Sequence, residues 1–210
     1  RSSGFAIDHA HNLRAKGFGD TAEHERRQIG LNRAGQEYLG SAVAAHGIDC
    51  GWQWAGKTHA ACTTRGARHL EHFADSLDRI DEPYEVFDEA ATVDRLGIDF
   101  YRRSLHNPGT VQMQPAALVR GLADHLPANI ALHEESPVTG IDLGPPHELH
   151  TDGGTVRTPE LVLANNGFAE GFGIARGRLI PVITWGSMTR PLTHEESASI
   201  GGARPWGVIP

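Results

Sequence analysis

Two cysteines in 210 residues, Cys50 and Cys62, leave no room for a disulfide framework. In an extended strand they would stand roughly 40 Å apart, at about 3.3 Å per residue, and only a hairpin turning near Gly56 would let them bridge. Two reduced thiols are the simpler expectation. No window approaches eighteen consecutive apolar residues, so no transmembrane helix is expected. The first residues, RSSGFAID, lack the basic and apolar regions of a signal peptide. Basic blocks are missing too: 19 Lys and Arg against 26 Asp and Glu give a formal charge of −7. Nucleic acid and membrane are therefore not expected partners, and a cytoplasmic protein is expected. An initiating methionine is absent, and the chain stops on the apolar run RPWGVIP, so a fragment of a longer protein is expected.

Catalytic signatures are equally scarce. Thirteen histidines include His9 and His11 around Ala10, and His69 and His72 three apart. Neither pair is completed by HExxH, CxxC or a carboxylate cluster, and no metal is expected. Ser187 in WGSMT has no GxSxG elbow, and nothing marks a base beside Cys62. A hydrolase is not expected, and no catalytic residue is identified.

What is present is periodicity. Residues 20–46 read as a helix: Asp20 or Thr21 can cap it, Glu23 and Glu25 suit its first turn, and Gly47 ends it. Leu31, Ala34, Tyr38, Leu39, Ala42 and Val43 predict its apolar face, and Gly35 weakens its middle. Over residues 50–62 the period becomes two. Cys50, Trp52, Trp54, Thr58, Ala60 and Cys62 share one face; Gln53, Lys57 and His59 share the other. Helices are expected over 64–77, with Leu70, Phe73, Ala74 and Leu77 inward, over 88–96 before Gly97, and from Pro115 through PAALVRGLADHL. Strands are expected on either side of Asn107-Pro108-Gly109, then at 130–134, 138–143, 148–151 and 155–158, and again over 178–192. Without strict βαβ alternation this is a mixed α+β chain rather than a plain doubly wound domain.

The stretch LVLANNGFAEGFG, residues 161–173, reads as a buried strand ending in a glycine turn. Gly167, Gly171, Gly173 and Gly177 do not have the spacing of the GxGxxG fingerprint, which must open a helix after a first strand. Alone, it is only a corner.

Five separated pieces, in order, resemble the D-amino acid oxidase-like family of FAD-dependent oxidoreductases, and within it the γ-glutamylputrescine oxidase-like branch. RSSGFAID resembles the branch's RNSGF segment, which approaches the flavin. HNPGTVQMQPAALVRGLADHL resembles its glycine-bearing strand, proline and helix. LHEESPVTGI is similar to the strand whose Val lies by the adenine, and ELVLANNGFAEGFG to the strand end that touches the dinucleotide. RLIPVITWGSMTRPL is similar to the strand re-entering the substrate domain. Ser2 stands where the family usually has Asn, and Asn165-Asn166 where it has a Thr-Gly-like pair.

The resemblance implies part of an α/β FAD-binding domain interleaved with a substrate domain, built on a mixed or antiparallel sheet with helices. It assigns 1–12 to a FAD-contacting segment, 13–105 mainly to the substrate domain, 106–177 mainly to the FAD-binding domain, and 178–210 to the return. It places Arg1, Ser2, Ser3 and Gly4 at the flavin, Val138 at the adenine, and Ala164, Asn165, Asn166 and Gly167 at the dinucleotide. Tyr101, Gln112, Gln114 and Trp185 become substrate-side candidates, while Trp52 and Trp54 are expected in the core. The implied reaction is oxidation of an amine or amino acid by hydride transfer to flavin, then imine hydrolysis, with dioxygen reoxidising the flavin to give peroxide. The family's GxGxxG unit is not among these residues. A flavin-free binding or scaffold module of the same fold is the competing expectation.

Overall fold

The computed structural model describes residues 4–9, 22–180, 182, 189–200 and 208–209. Arg1, Ser2, Ser3, Trp185 and the expected cap at Asp20 or Thr21 lie outside them. In chain order the elements are β1 (Phe5–Ala6), α1 (Ala22–His46), β2 (Lys57–Ala61), α2 (Thr64–Ile80), β3 (Glu85–Phe87), α3 (Glu89–Leu96), β4 (Arg103–Asn107), β5 (Val111–Gln112), α4 (Pro115–Asp124), β6 (Val138–Asp142), β7 (His147–Thr151), β8 (Gly154–Thr158), a 3-10 helix (Asn166–Phe172), α5 (His194–Ser199) and β9 (Val208–Ile209). They form two compact units, Arg1–Leu126 with Met188–Pro210, and Pro127–Ser187.

The larger unit is built on a mixed sheet in the order β3-β4-β2-β9, in which only the β2–β9 pair is parallel. Its helices begin and end where local chemistry dictates. Thr63 accepts from Gly66 N–H to start α2, and Asp88 accepts from Ala91 N–H to start α3, each satisfying a donor the helix leaves free. Gly97, left-handed at φ 73°, closes α3. Phe73 and Leu77 of α2 pack on Leu105 of β4 with Leu70, Ala74 and Tyr84 around them, the inward face expected from the spacing. On the opposite face of the sheet, Thr92 of α3 bonds Ser104 of β4 at 3.0 Å.

Four expectations fail here. Gly35 does not break α1, which runs unbroken for 25 residues. A glycine costs about 1 kcal/mol inside a helix, less than the rest of a helix this long contributes. The buried positions of α1 are Ile29, Gln36 and Val43, while Leu31 and Tyr38 of the expected apolar face are exposed. The spacing is helical, but the buried stripe is centred on a different side. β2 is also shorter than expected, and it is buried at all five residues rather than on alternate ones. With α2 packed against it and β4 and β9 on its two edges, it hides Lys57 and His59 along with Ala60. Trp54, expected in the core, is exposed, whereas Trp52 packs beside Val43, Ile48, Cys50 and Leu118, where α4 meets α1. Cys50 is buried, Cys62 exposed, and both are free.

The smaller unit holds the antiparallel meander β6-β7-β8, with the expected turns between strands. Residues 130–134 and 161–165 are not strands. A strand exists only as a member of a ladder. Among the described residues the meander pairs with itself alone and offers neither segment a neighbour. The described part of 178–192 is likewise without strand, the remainder lying outside the described residues.

Candidate functional site

In the larger unit the candidate site grows from Gly4. Its φ of 86° is open only to glycine, and a Cβ there would lie 2.7 Å from the Met113 carbonyl. The Gly4 carbonyl accepts from Met113 N–H at 2.9 Å, and β1 then pairs with β5, Phe5 opposite Gln112 and Ala6 opposite Val111. Gln112 pairs on its other side with Gln53 through two backbone bonds, of 2.8 and 2.9 Å. Gly4 and Gln112 thus belong to one small ladder.

Beyond β1 the chain enters a buried polar cluster. Gln36 of α1 donates to the Ala6 and Gly109 carbonyls at 2.7 and 3.0 Å. Asn32 donates to the Asp8 carbonyl at 2.7 Å, and Lys57 to the His9 carbonyl at 2.7 Å. The Asp8 carboxylate accepts from Arg33 at 2.9 Å and from Thr110 at 3.4 Å, while Arg33 also pairs with Glu82. Asp8 and Lys57 are wholly inaccessible to water. Gly109 must be glycine, because a Cβ would collide with the Asp8 carboxylate.

Charges this deep shift their titration. Burial pushes the Asp8 carboxyl up, but His9, Arg33 and Lys57 together outweigh it and hold Asp8 below the usual carboxylate value. Burial pulls Lys57 down to about 8 against the opposing attraction of Asp8. Burial likewise opposes the charge on Arg33, yet Glu82 and Asp8 hold its pKa above the ordinary value.

The substrate-side candidates separate. Gln114 is the N-cap of α4, its side-chain oxygen accepting from Ala117 N–H at 2.8 Å, and its own N–H donates to the Cys50 carbonyl. Tyr101 is not on a strand. It precedes β4, edge-on to Phe100, next to Arg102, which bonds the Ala61 carbonyl at the far end of β2. Gln112 stands beyond the opposite end of β4, roughly 20 Å of strand away at about 3.3 Å per residue.

In the smaller unit, Val138, Ile141 and Leu149 of the meander face Leu161–Asn165, Phe168 and Phe172 across an apolar cavity of about 400 Å³. That volume lies within the range of small-molecule sites, about 300–1,000 Å³. Val138, Ala164 and Asn165 therefore share one cavity, although 26 residues separate the first two. Asn165 precedes the 3-10 helix without capping it, and its Oδ1 is buried with no partner among the described residues. Asn166 is left-handed at φ 56°; with Gly167 it lines a second cavity of about 410 Å³ beside Phe168, Glu170, Leu179, Ile180 and Val182. A Cβ at Gly167 would meet nothing within 4 Å. Apolar walls, an amide at one end and an open glycine turn suit the heteroaromatic and ribose parts of a dinucleotide. The residues present fit such a group.

The sequence reading did not single out Asp8, Arg33, Gln36 or Glu82, and it placed Lys57 on a polar face. The available signal was the glycine pair Gly56 and Gly109. A Cβ at Gly56 would collide with His106, and one at Gly109 with Asp8, so both glycines mark close approach.

One mixed sheet with helices in the larger unit, and an antiparallel meander beside an apolar cavity in the smaller, make this a mixed α+β chain. The chain belongs to the FAD dependent oxidoreductase (DAO) family, whose model matches residues 1–209. Solved structures agree on the fold. Glycine oxidase from Geobacillus kaustophilus superposes with a TM-score of 0.62 at 21% identity, over 82% of this chain and 46% of that one. L-amino acid deaminase from Proteus vulgaris gives 0.57 at 12% identity, over 81% and 44%. L-α-glycerophosphate oxidase from Mycoplasma pneumoniae, solved with FAD bound, gives 0.57 at 12%, over 81% and 44%. The chain thus spans less than half the length of each. No curated protein matches it. Among the described residues, no helix is long and apolar enough to cross a membrane.

Proposed function

We propose that this chain forms part of an FAD-dependent oxidoreductase, of the γ-glutamylputrescine oxidase-like branch and cytoplasmic, that oxidises a primary or secondary amine or an amino acid. The observation that carries the reading is the shared cavity of Val138, Ala164 and Asn165, three residues the family resemblance assigns to the cofactor. When bound, FAD would supply the redox chemistry, a two-electron oxidation of the amine to an imine that water hydrolyses, with dioxygen as the final electron acceptor and peroxide as its product.

The chain's own residues bind and orient. Gly4 brings backbone close to the flavin, Ser2 and Ser3 offer small polar contacts, and Arg1 offsets negative charge. Val138 gives the adenine an apolar wall, and Ala164 to Gly167 form a cradle whose glycine leaves room for close approach. Gln112 is the leading substrate-side residue because it shares a ladder with Gly4. Gln114, Trp185 and Tyr101 complete that set, with Tyr101 expected to matter least.

The test is Gly167→Val in the full-length protein. A side chain there meets open space, so the fold tolerates it, and flavin loss would report blocked cofactor approach. Flavin retained at wild-type occupancy would sink the assignment. Changes at Gln112 and Tyr101 are read as amine-dependent peroxide production.

A flavin-free module of the same fold is the second reading, favoured by Gln114 using its amide oxygen on a helix cap. Full-length protein purified colourless and unable to take up added FAD would decide for it.

A further inference from the structure

Between Gly4 and His9 the chain has only two residues in regular structure, yet side chains from three directions hold its polar groups. Gln36 holds the Ala6 carbonyl, Asn32 the Asp8 carbonyl and Lys57 the His9 carbonyl, while Arg33 and Thr110 hold the Asp8 carboxylate. Gln36 bonds the Gly109 carbonyl as well, so one buried amide ties β1 to the turn that leads into its partner β5. Lys57 also lies 3.3 Å from His9 Nδ1. A two-residue strand is marginal by itself. Burying a lysine and an aspartate to brace it is costly, and core leucines would stabilise the sheet better. What the polar arrangement supplies is a fixed direction for each backbone group, which apolar packing does not.

We infer that Lys57 and Gln36 are positioning residues for the cofactor: by clamping residues 6–9 they hold the Gly4 backbone in its approach geometry without touching the cofactor. The inference rests on the flavin reading above. It concerns residues outside the contact set and extends the site into α1 and β2. Loosening the clamp lets β1 slip against β5, changing the protein atoms that meet the flavin ring while the adenine contacts stay intact.

The experiment uses the full-length holoenzyme and the variants Lys57→Met, Gln36→Leu and, as a control, Thr92→Val. The control removes a buried hydrogen bond on the other face of the same sheet. Three quantities are read: FAD dissociation constant by fluorescence quenching, visible circular dichroism of bound flavin, and hydrogen exchange of the Phe5–Ile7 amides in the apoprotein. Lys57→Met and Gln36→Leu are expected to weaken FAD about tenfold, change the flavin dichroism and speed exchange at residues 5–7. Thr92→Val should lower the melting temperature while leaving all three near wild type. If Lys57→Met does not fold, Gln36→Leu, which keeps the charges, carries the test. Wild-type dissociation constant and dichroism in the folded variants, or equal changes in Thr92→Val, would overturn the clamp. A wild-type protein that takes up no flavin would instead overturn the function reading from which it starts.

Discussion

Leu77, Leu96, Leu105 and Val111 in the larger unit are wholly inaccessible to water, whereas Val162, Phe168, Ile180 and Val182 in the smaller one are each more than four-fifths exposed. Among the described residues, Ala169 is the one buried apolar side chain of the smaller unit. The larger unit is held by side-chain burial around β2 and β4. The smaller is held chiefly by the backbone ladders of its meander, and its apolar residues form walls instead of a core. Buried packing and exposed apolar surface are thus divided between the two regions.

The largest effect that would sharpen this contrast is Asp8→Ala. It strips the buried Lys57 of its counter-charge and leaves Arg33 half-paired, so a loss of about 3–5 kcal/mol is expected in denaturant unfolding. Next come matched truncations. Leu105→Ala should cost about 2–5 kcal/mol, and Ile180→Ala, at a side chain 88% exposed, within about 0.5 kcal/mol. Comparable losses at the two positions would erase the distinction. Third is a pH effect confined to the larger unit. Burial disfavours charged Lys57, so the unfolded chain keeps that proton to higher pH than the folded one. Stability should therefore rise between about 8 and 10.5, by on the order of 2–3 kcal/mol. Unfolding curves of Lys57→Met across that window should lack the rise. Smallest is Thr193→Ala, which removes the capping box with Glu196 at the start of α5. It should cost about 1 kcal/mol, read as local fraying of α5 by NMR.

Sequence alone made α2, α3 and α4 legible, α2 through a face set by 3.6-residue spacing, α3 through its stop at Gly97 and α4 through its start at Pro115. The three meander strands were legible from the turns between them. What could not be read depends on partners distant in the chain. Residues 161–165 have the composition of a buried strand, but no ladder neighbour among the described residues makes them one. Lys57 looked like a solvent-facing residue because alternation gives the side of a strand and not what covers it. The resemblance named Val138, Ala164 and Asn165 together, and the structure brings the three to one cavity. The polar clamp was not legible, since its donors come from α1 and β2, far from Asp8 in sequence.

The parallel pairing of Thr58 with Val208 and His59 with Ile209 has a consequence for biosynthesis. The sheet's fourth strand leaves the ribosome roughly 150 residues after β2, some 7–30 s later at about 5–20 residues per second. Through that interval β2 carries an open edge. The meander, whose contacts are all local, completes itself in the meantime. Nascent chains halted before residue 208 should therefore protect β6–β8 from proteolysis sooner than β2.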